Sequence, residues 1–119
     1  MKVIVIGLNP SAVSTVKKNS TLDRLNKWMD LLHITNYTFV NMIPEVGNPD
    51  KSKICDNTLQ IAQKYDKILA LGNMVSDELT SRGIKHFKMP HPSPRNRLLN
   101  DKSFEINMIN RCEEYLYGC

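Results

Sequence analysis

The sequence contains no apolar run long enough to cross a membrane, no C-x-x-C pair, no glycine-rich phosphate loop and no internal repeat. Each absence removes a class of protein. Without some twenty consecutive apolar residues no transmembrane helix is expected. The opening β-branched run, Val3 to Ile6, is too short for a signal-peptide core and meets Gly7 at once, so no targeting segment is expected and the cytoplasm of a bacterium, or of a virus-infected host, is the expected location. Only three cysteines occur, at 55, 112 and 119, an odd number without metal-ligand spacing. A disulfide framework, a structural zinc site and an iron–sulfur cluster are therefore not expected, and the thiols should be free in a reducing compartment. Neither G-x-G-x-x-G nor G-K-[ST] is present, which argues against a dinucleotide loop and a P-loop.

What the sequence does contain is ordinary globular material. Its 119 residues, 41% hydrophobic and 24% charged, suit one domain spanning 1–119. Sixteen Lys and Arg against twelve Asp and Glu give a net charge of +4, which favours a polyanionic partner without amounting to a polybasic arm.

The hydrophobic pattern alternates between two periods. Lys2 to Ile6 reads as a buried strand stopped by the turn Gly7-Leu8-Asn9-Pro10-Ser11. Leu22, Leu25, Trp28, Met29 and Leu32 recur at helical spacing, and Ser20 with Asp23 forms an acidic capping box, predicting a helix over about 21–33. His33, near its end, reads as a surface residue stabilised by the helix dipole. Tyr37 to Met42 predicts a second strand ending at Asn41, with Pro44 and then Gly47-Asn48-Pro49-Asp50 closing it. Ile54, Thr58, Ile61 and Tyr65 share a helical face, with Leu59 and Ala62 beside them; Ile68 to Leu71 is a third strand before Gly72. Asn73 to Arg82 reads as a helix stopped by Gly83, His86 to Met89 as a fourth strand, and Phe104, Met108, Cys112 and Leu116 as the face of a last amphipathic helix. Strand and helix thus alternate four times, predicting a three-layer α/β/α fold with a central four-stranded parallel sheet.

Such sheets bind ligands at the carboxyl ends of their strands. Three of the four expected ends carry notable polar residues: Asn9, Asn41 and His91. They should converge on one crevice. His91-Pro92-Ser93-Pro94-Arg95-Asn96 is the most informative segment, because two prolines one residue apart stiffen a loop beside a strand end and so hold a side chain in place.

GLNPS after the first strand, FVN ending the second, ALGN at the third and HPSPRN after the fourth resemble, in order and topology, the uracil-DNA glycosylase superfamily. The resemblance is closest to its single-strand-selective monofunctional branch, whose signatures are GMNPG and HPSPRN. The first half, with T-x-x-R-x-x-x-W and then VN-x-x-P, is also similar to an uncharacterised domain family related to that fold. The resemblance implies hydrolysis of the N-glycosidic bond of uracil, or of a 5-substituted uracil, in single- and double-stranded DNA, the first step of base excision repair. It implies no metal or other cofactor, no membrane partner and a monomer.

Residue by residue, Asn9 matches the motif-one Asn that orients the attacking water, and His91 the His that donates a hydrogen bond to the base O2 as negative charge grows there. Asn41 matches the Asn that pairs with O4 and N3–H of uracil, with Gly7, Leu8, Pro10 and Ser11 forming the rest of the pocket. Gly72, Asn73, Ser93, Pro94, Arg95 and Arg97 fall where the family touches DNA, Arg95 at the wedge position. Two features depart from the pattern. An aromatic residue about thirteen positions after the motif-one residue stacks on the base in the family, and here that position is Leu22. Either Leu22 serves as an apolar platform, another ring such as Trp28 or Phe39 takes its place, or the pocket holds something other than plain uracil. The chain is also shorter than the enzymes it resembles. The competing expectation is a binding module of the same fold that recognises a nucleotide or modified base without efficient cleavage.

Overall fold

In the computed structural model, residues 2–8, 20–43, 54–92 and 101–118 are described. Eight elements alternate along the chain: β1 (Val3–Gly7), α1 (Ser20–Leu31), β2 (Thr38–Asn41), α2 (Asp56–Ala62), β3 (Lys67–Leu71), α3 (Asn73–Ser81), β4 (Phe87–Met89) and α4 (Lys102–Tyr117). All strand pairs are parallel, and the four-stranded sheet has the order β2-β1-β3-β4. The chain therefore moves outward from β1 to β2, then reverses across β1 to β3 and β4. With right-handed crossovers that reversal sends α1 to one face and α2 and α3 to the other.

The two cores follow that division. Val3 and Val5 of β1, with Leu69, Leu71 and Met89, pack against Leu25, Trp28, Met29 and Leu32 of α1 and Met108, Cys112 and Leu116 of α4. The alternate residues Ile4, Ile6, Ile68 and Ala70 pack against Leu59 and Ala62 of α2 and Val75 and Leu79 of α3. Burial on both faces is why β1 and β3 read as unbroken apolar runs rather than alternating ones. The result is the three-layer α/β/α arrangement expected from the sequence, with the helices' carboxyl ends and the strands' amino ends at one edge of the sheet.

Helix α2 corrects one expectation. Its inward residues are Leu59 and Ala62, whereas Ile61 is 43% exposed. The helix has only seven residues, so Ile54 and Tyr65 lie outside it and pack against the core from its two flanks instead of extending one face. Helix α1 also stops earlier than expected, at Leu31. His33 takes a left-handed conformation (φ 60°), its N–H bonds Asp30 O, and Ile34 N–H bonds Met29 O at 2.9 Å, a Schellman turn that folds Ile34 into the core. Helix α3 ends in the same way, with Gly83 (φ 71°) at the left-handed position and Ile84 N–H bonded to Leu79 O.

Polar ties join α1 to α4. The Trp28 indole N–H donates to Glu105 at 2.9 Å, Arg24 stands 3.6 Å from the same carboxylate, and the Tyr117 hydroxyl donates to Leu32 O at 2.7 Å. Asp101 caps α4 by accepting from Ser103 N–H.

Candidate functional site

The reversal of strand order between β1 and β3 marks the place where an open parallel sheet forms a crevice beyond its strand ends. Both strands end in glycine there, Gly7 on β1 and Gly72 just beyond β3. Each glycine has a polar side chain laid against it from the neighbouring outer strand.

On the β1 side the neighbour is Asn41, which pairs with Gly7 in the parallel register. A side chain at Gly7 would begin 2.9 Å from Asn41 Oδ1 and 3.0 Å from the tip of the Phe39 ring. The absence of a Cβ is what lets these two groups lean over the end of β1. The chain then continues with Met42 N–H donating to Gly7 O and Ile43 N–H to Leu8 O, both at 2.8 Å, so β2 remains fastened to β1 beyond the regular ladder. Leu8 is half-buried against the α2–α3 core.

On the β3 side the neighbour is His91. Its Cβ and Cδ2 lie 3.9 Å from the point where a Gly72 side chain would begin, ordinary contact distance. Gly72 itself has φ 87°, which a side chain would strain, and its N–H donates to Met89 O at 2.8 Å, tying the start of α3 to the end of β4. His91 is exposed overall, yet enough protein surrounds the ring that desolvation lowers its pKa below the ordinary 6.5. It is therefore predominantly neutral at pH 7. Pro92, next to it, is buried. Asn73 and Met74, in the first turn of α3, are exposed beside Gly72.

Of the site residues expected from sequence, Gly7, Leu8, Asn41, Gly72, Asn73 and His91 thus stand at the carboxyl edge of the sheet. Asn9, Pro10, Ser11, Ser93, Pro94, Arg95 and Arg97 lie outside the described residues, as does the side chain of Leu22. Trp28 is fully buried and its indole N–H is bonded to Glu105, so it presents no ring to the crevice.

The opposite edge holds a separate open groove of about 330 Å³, lined by residues including Tyr65, Asp66, Lys67, Lys85 and Tyr115. Three of its polar groups are engaged. Asp66 accepts from Lys2 N–H at 2.6 Å, Lys67 Nζ sits 4.8 Å over the Tyr115 ring, and the Tyr115 hydroxyl accepts from Ile68 N–H. Close by, Ser76 Oγ is 2.7 Å from His86 Nε2, and His86 Nδ1 is 2.8 Å from Ile84 O. If Nδ1–H donates to that carbonyl, Nε2 accepts from the serine. This pairing has no sequence signature, because its members are ten residues apart on a helix and before a strand. Among the described residues no group of His, Cys, Asp or Glu could hold a metal ion, and no helix is long and apolar enough to cross a membrane.

Fold and geometry together define a three-layer α/β/α protein with a four-stranded parallel sheet, at whose carboxyl edge Asn41 and His91 lie against glycines. Comparison with known proteins adds no nearer relation: no family model, curated protein or solved structure matches the chain.

Proposed function

We propose that the protein is a monofunctional uracil-DNA glycosylase, a minimal member of the superfamily that its motifs resemble. The observation that carries this reading is the placement of Asn41 against Gly7 and His91 against Gly72, at the ends of the two strands flanking the reversal of strand order. Two residues 50 positions apart in sequence, each singled out by its motif, thereby stand at the same edge of the sheet.

The chemistry suits them. Breaking an N-glycosidic bond develops positive charge on the sugar and negative charge on the departing base. A neutral His91, its pKa lowered by burial, can donate a hydrogen bond to the base O2 as charge grows there. The Asn41 amide offers one donor and one acceptor, the complement of the O4 and N3–H edge of uracil; cytosine presents the opposite pattern. Asn9, two residues beyond Gly7, is assigned the attacking water. An amide cannot take up a proton near neutral pH, so it orients the water rather than acting as a strong base, and a slow enzyme is expected. Neither GLNPS nor HPSPRN contains a lysine that could form a Schiff base, which favours hydrolysis without strand scission. Arg95 and Arg97 would meet DNA, and the net charge of +4 favours that partner.

Incubation with a uracil-containing oligonucleotide followed by alkali is the test. Strand breaks at uracil are expected, and they should fall roughly 10²-fold or more in Asn9→Ala and His91→Ala, the scale of losing one preorganised stabilising group. Retarded migration of the oligonucleotide without alkali-labile sites would replace this reading with that of a base-binding module.

A further inference from the structure

The two outer strands of the sheet are guarded unequally. Strand β4 has three residues, exposes Lys88 and is followed at once by Pro90. A lysine and a proline are common means of keeping a sheet edge from pairing with another chain. Strand β2, at the other end of the strand order, has neither: Thr38-Phe39-Val40-Asn41 is uncharged, and no Lys, Arg, Asp or Glu occurs from Ile34 to Pro44. The direction of its backbone groups follows from one bond. Met42 N–H donates to Gly7 O on β1, and an edge strand turns its backbone groups alternately toward and away from its neighbour. Val40 and Thr38 therefore face β1, and the N–H and C=O of Tyr37, Phe39 and Asn41 face outward. Among the described residues no strand pairs with that side. The Phe39 ring does not cover it, because its tip leans toward β1, 3.0 Å from the position of a Gly7 Cβ. That ring is still 38% exposed.

We infer that β2 is the seam of a homodimer, pairing antiparallel with β2 of a second copy about a two-fold axis at Phe39 and joining two four-stranded sheets into one. A second copy is the occupant that this edge fits. In an antiparallel pair opposite residues share a face, and where their backbone groups point at each other they exchange both hydrogen bonds. An axis at Phe39 sets Phe39 opposite Phe39 and Tyr37 opposite Asn41. All of these turn their backbone groups outward, and Phe39 shares the α1–α4 face with Val5, its partner in the register. The contact is thus self-complementary, as an isologous interface must be. It brings no like charges together although each copy carries +4, and the two exposed rings cover each other. The axis turns the two carboxyl edges to opposite ends of the joined sheet. The family resemblance implies a monomer; this edge departs from that implication, and the inference does not depend on the glycosylase reading.

Sedimentation equilibrium of the full chain up to about 1 mM, where even a weak association registers, is the test, with hydrogen exchange followed by NMR over the same range. A species of twice 13.6 kDa is expected at the highest concentrations. Exchange at the Phe39 N–H should slow as that species forms, while the Val40 N–H, which faces β1, is protected throughout. Phe39→Lys sets like charges opposite each other and should weaken the dimer roughly 10-fold or more, and Phe39→Glu should do the same. Because the axis places position 39 against itself, an equimolar mixture of the two variants should dimerise again, which also shows that both are folded. Lys88→Glu at the other edge should leave the association unchanged. A wild-type monomer at the highest concentration, a dimer indifferent to Phe39→Lys, or variants that associate no better mixed than alone would overturn the seam.

Discussion

At the amino-terminal edge of the sheet Tyr65, Asp66, His86 and Tyr115 each hold another part of the chain, whereas at the carboxyl-terminal edge Asn41 and His91 lie against glycines. The residue types are similar and their surroundings differ. Tyr65 bonds Thr38 at the start of β2, Asp66 bonds Lys2 before β1, Tyr115 bonds Ile68 in β3, and His86 bonds Ser76 in α3. These bonds tie the starts of β1, β2 and β3 to one another, β3 to α4, and the residue before β4 to α3. At the far edge Asn41 and His91 lie over two glycines that present only backbone to them. One edge ties strand starts together; the other carries the residues assigned to the proposed site.

The sharpest way to break this comparison is to substitute one residue at each edge. Gly7→Ala places a Cβ within 3.0 Å of both Asn41 Oδ1 and the Phe39 ring, so one or both must swing aside. A shift on the order of 1 Å in a positioning group can cost about 10²-fold in rate, and a loss of that size is expected in single-turnover cleavage of a uracil oligonucleotide. Ser76→Ala, which bears on the other edge only through its bond to His86, should leave that rate unchanged. It removes the hydroxyl that bonds His86 from a buried position, and urea denaturation should show a stability loss of about 1 kcal/mol. An unaltered rate in Gly7→Ala would remove the distinction between the edges.

The strands that carry the crevice are legible in the sequence because each is a short apolar run closed by a glycine or a polar stop, and their ends were expected at the residues where they fall or one away. The strand order was not legible. Nothing in the local pattern of β1 says that β2 and β3 pair on either side of it, and it is that order that lays Asn41 against Gly7. The face of α2 was misread because its periodic residues extend beyond a helix of seven residues, and Ile54 and Tyr65 reach the core from outside it. For Phe39 the sequence offered only a ring in a strand; its closeness to Gly7 comes from parallel pairing of two segments more than thirty residues apart.

A smaller effect concerns His91 in acid. Burial lowers the His91 pKa below 6.5, so the unfolded chain takes up a proton at higher pH than the folded one. Any stability tied to this residue is fully present above pH 6.5 and declines as the pH falls from there through the lowered pKa. His91→Asn should therefore flatten the acid side of a stability-versus-pH curve measured by urea denaturation. The same fall in pH should also charge the ring in the crevice, and cleavage by the wild-type protein should change over the same interval. An unchanged acid limb in His91→Asn would show that the ring's burial does not couple to folding.

The smallest effect concerns the helix ends that deliver the chain to the amino-terminal edge. Helices α1 and α3 close with the same Schellman turn, but its left-handed residue is His33 in one and Gly83 in the other, at φ 60° and 71°. The left-handed region costs a residue with a Cβ roughly 1–2 kcal/mol, while glycine gives back part of that difference because its unfolded chain is freer. His33 is exposed, so replacing it removes little packing. His33→Gly should accordingly stabilise the protein by about 0.5–1 kcal/mol. The reciprocal change at α3 isolates the backbone contribution, since a Cβ at Gly83 would meet nothing within 4 Å. Gly83→Ala should destabilise by a similar amount without any clash, and neither substitution should alter binding at the carboxyl edge. Equal stabilities for His33→Gly and the wild type would mean that the imidazole compensates for its backbone strain at the end of α1, through the helix dipole or the last carbonyls, which Gly83 in α3 has no side chain to do.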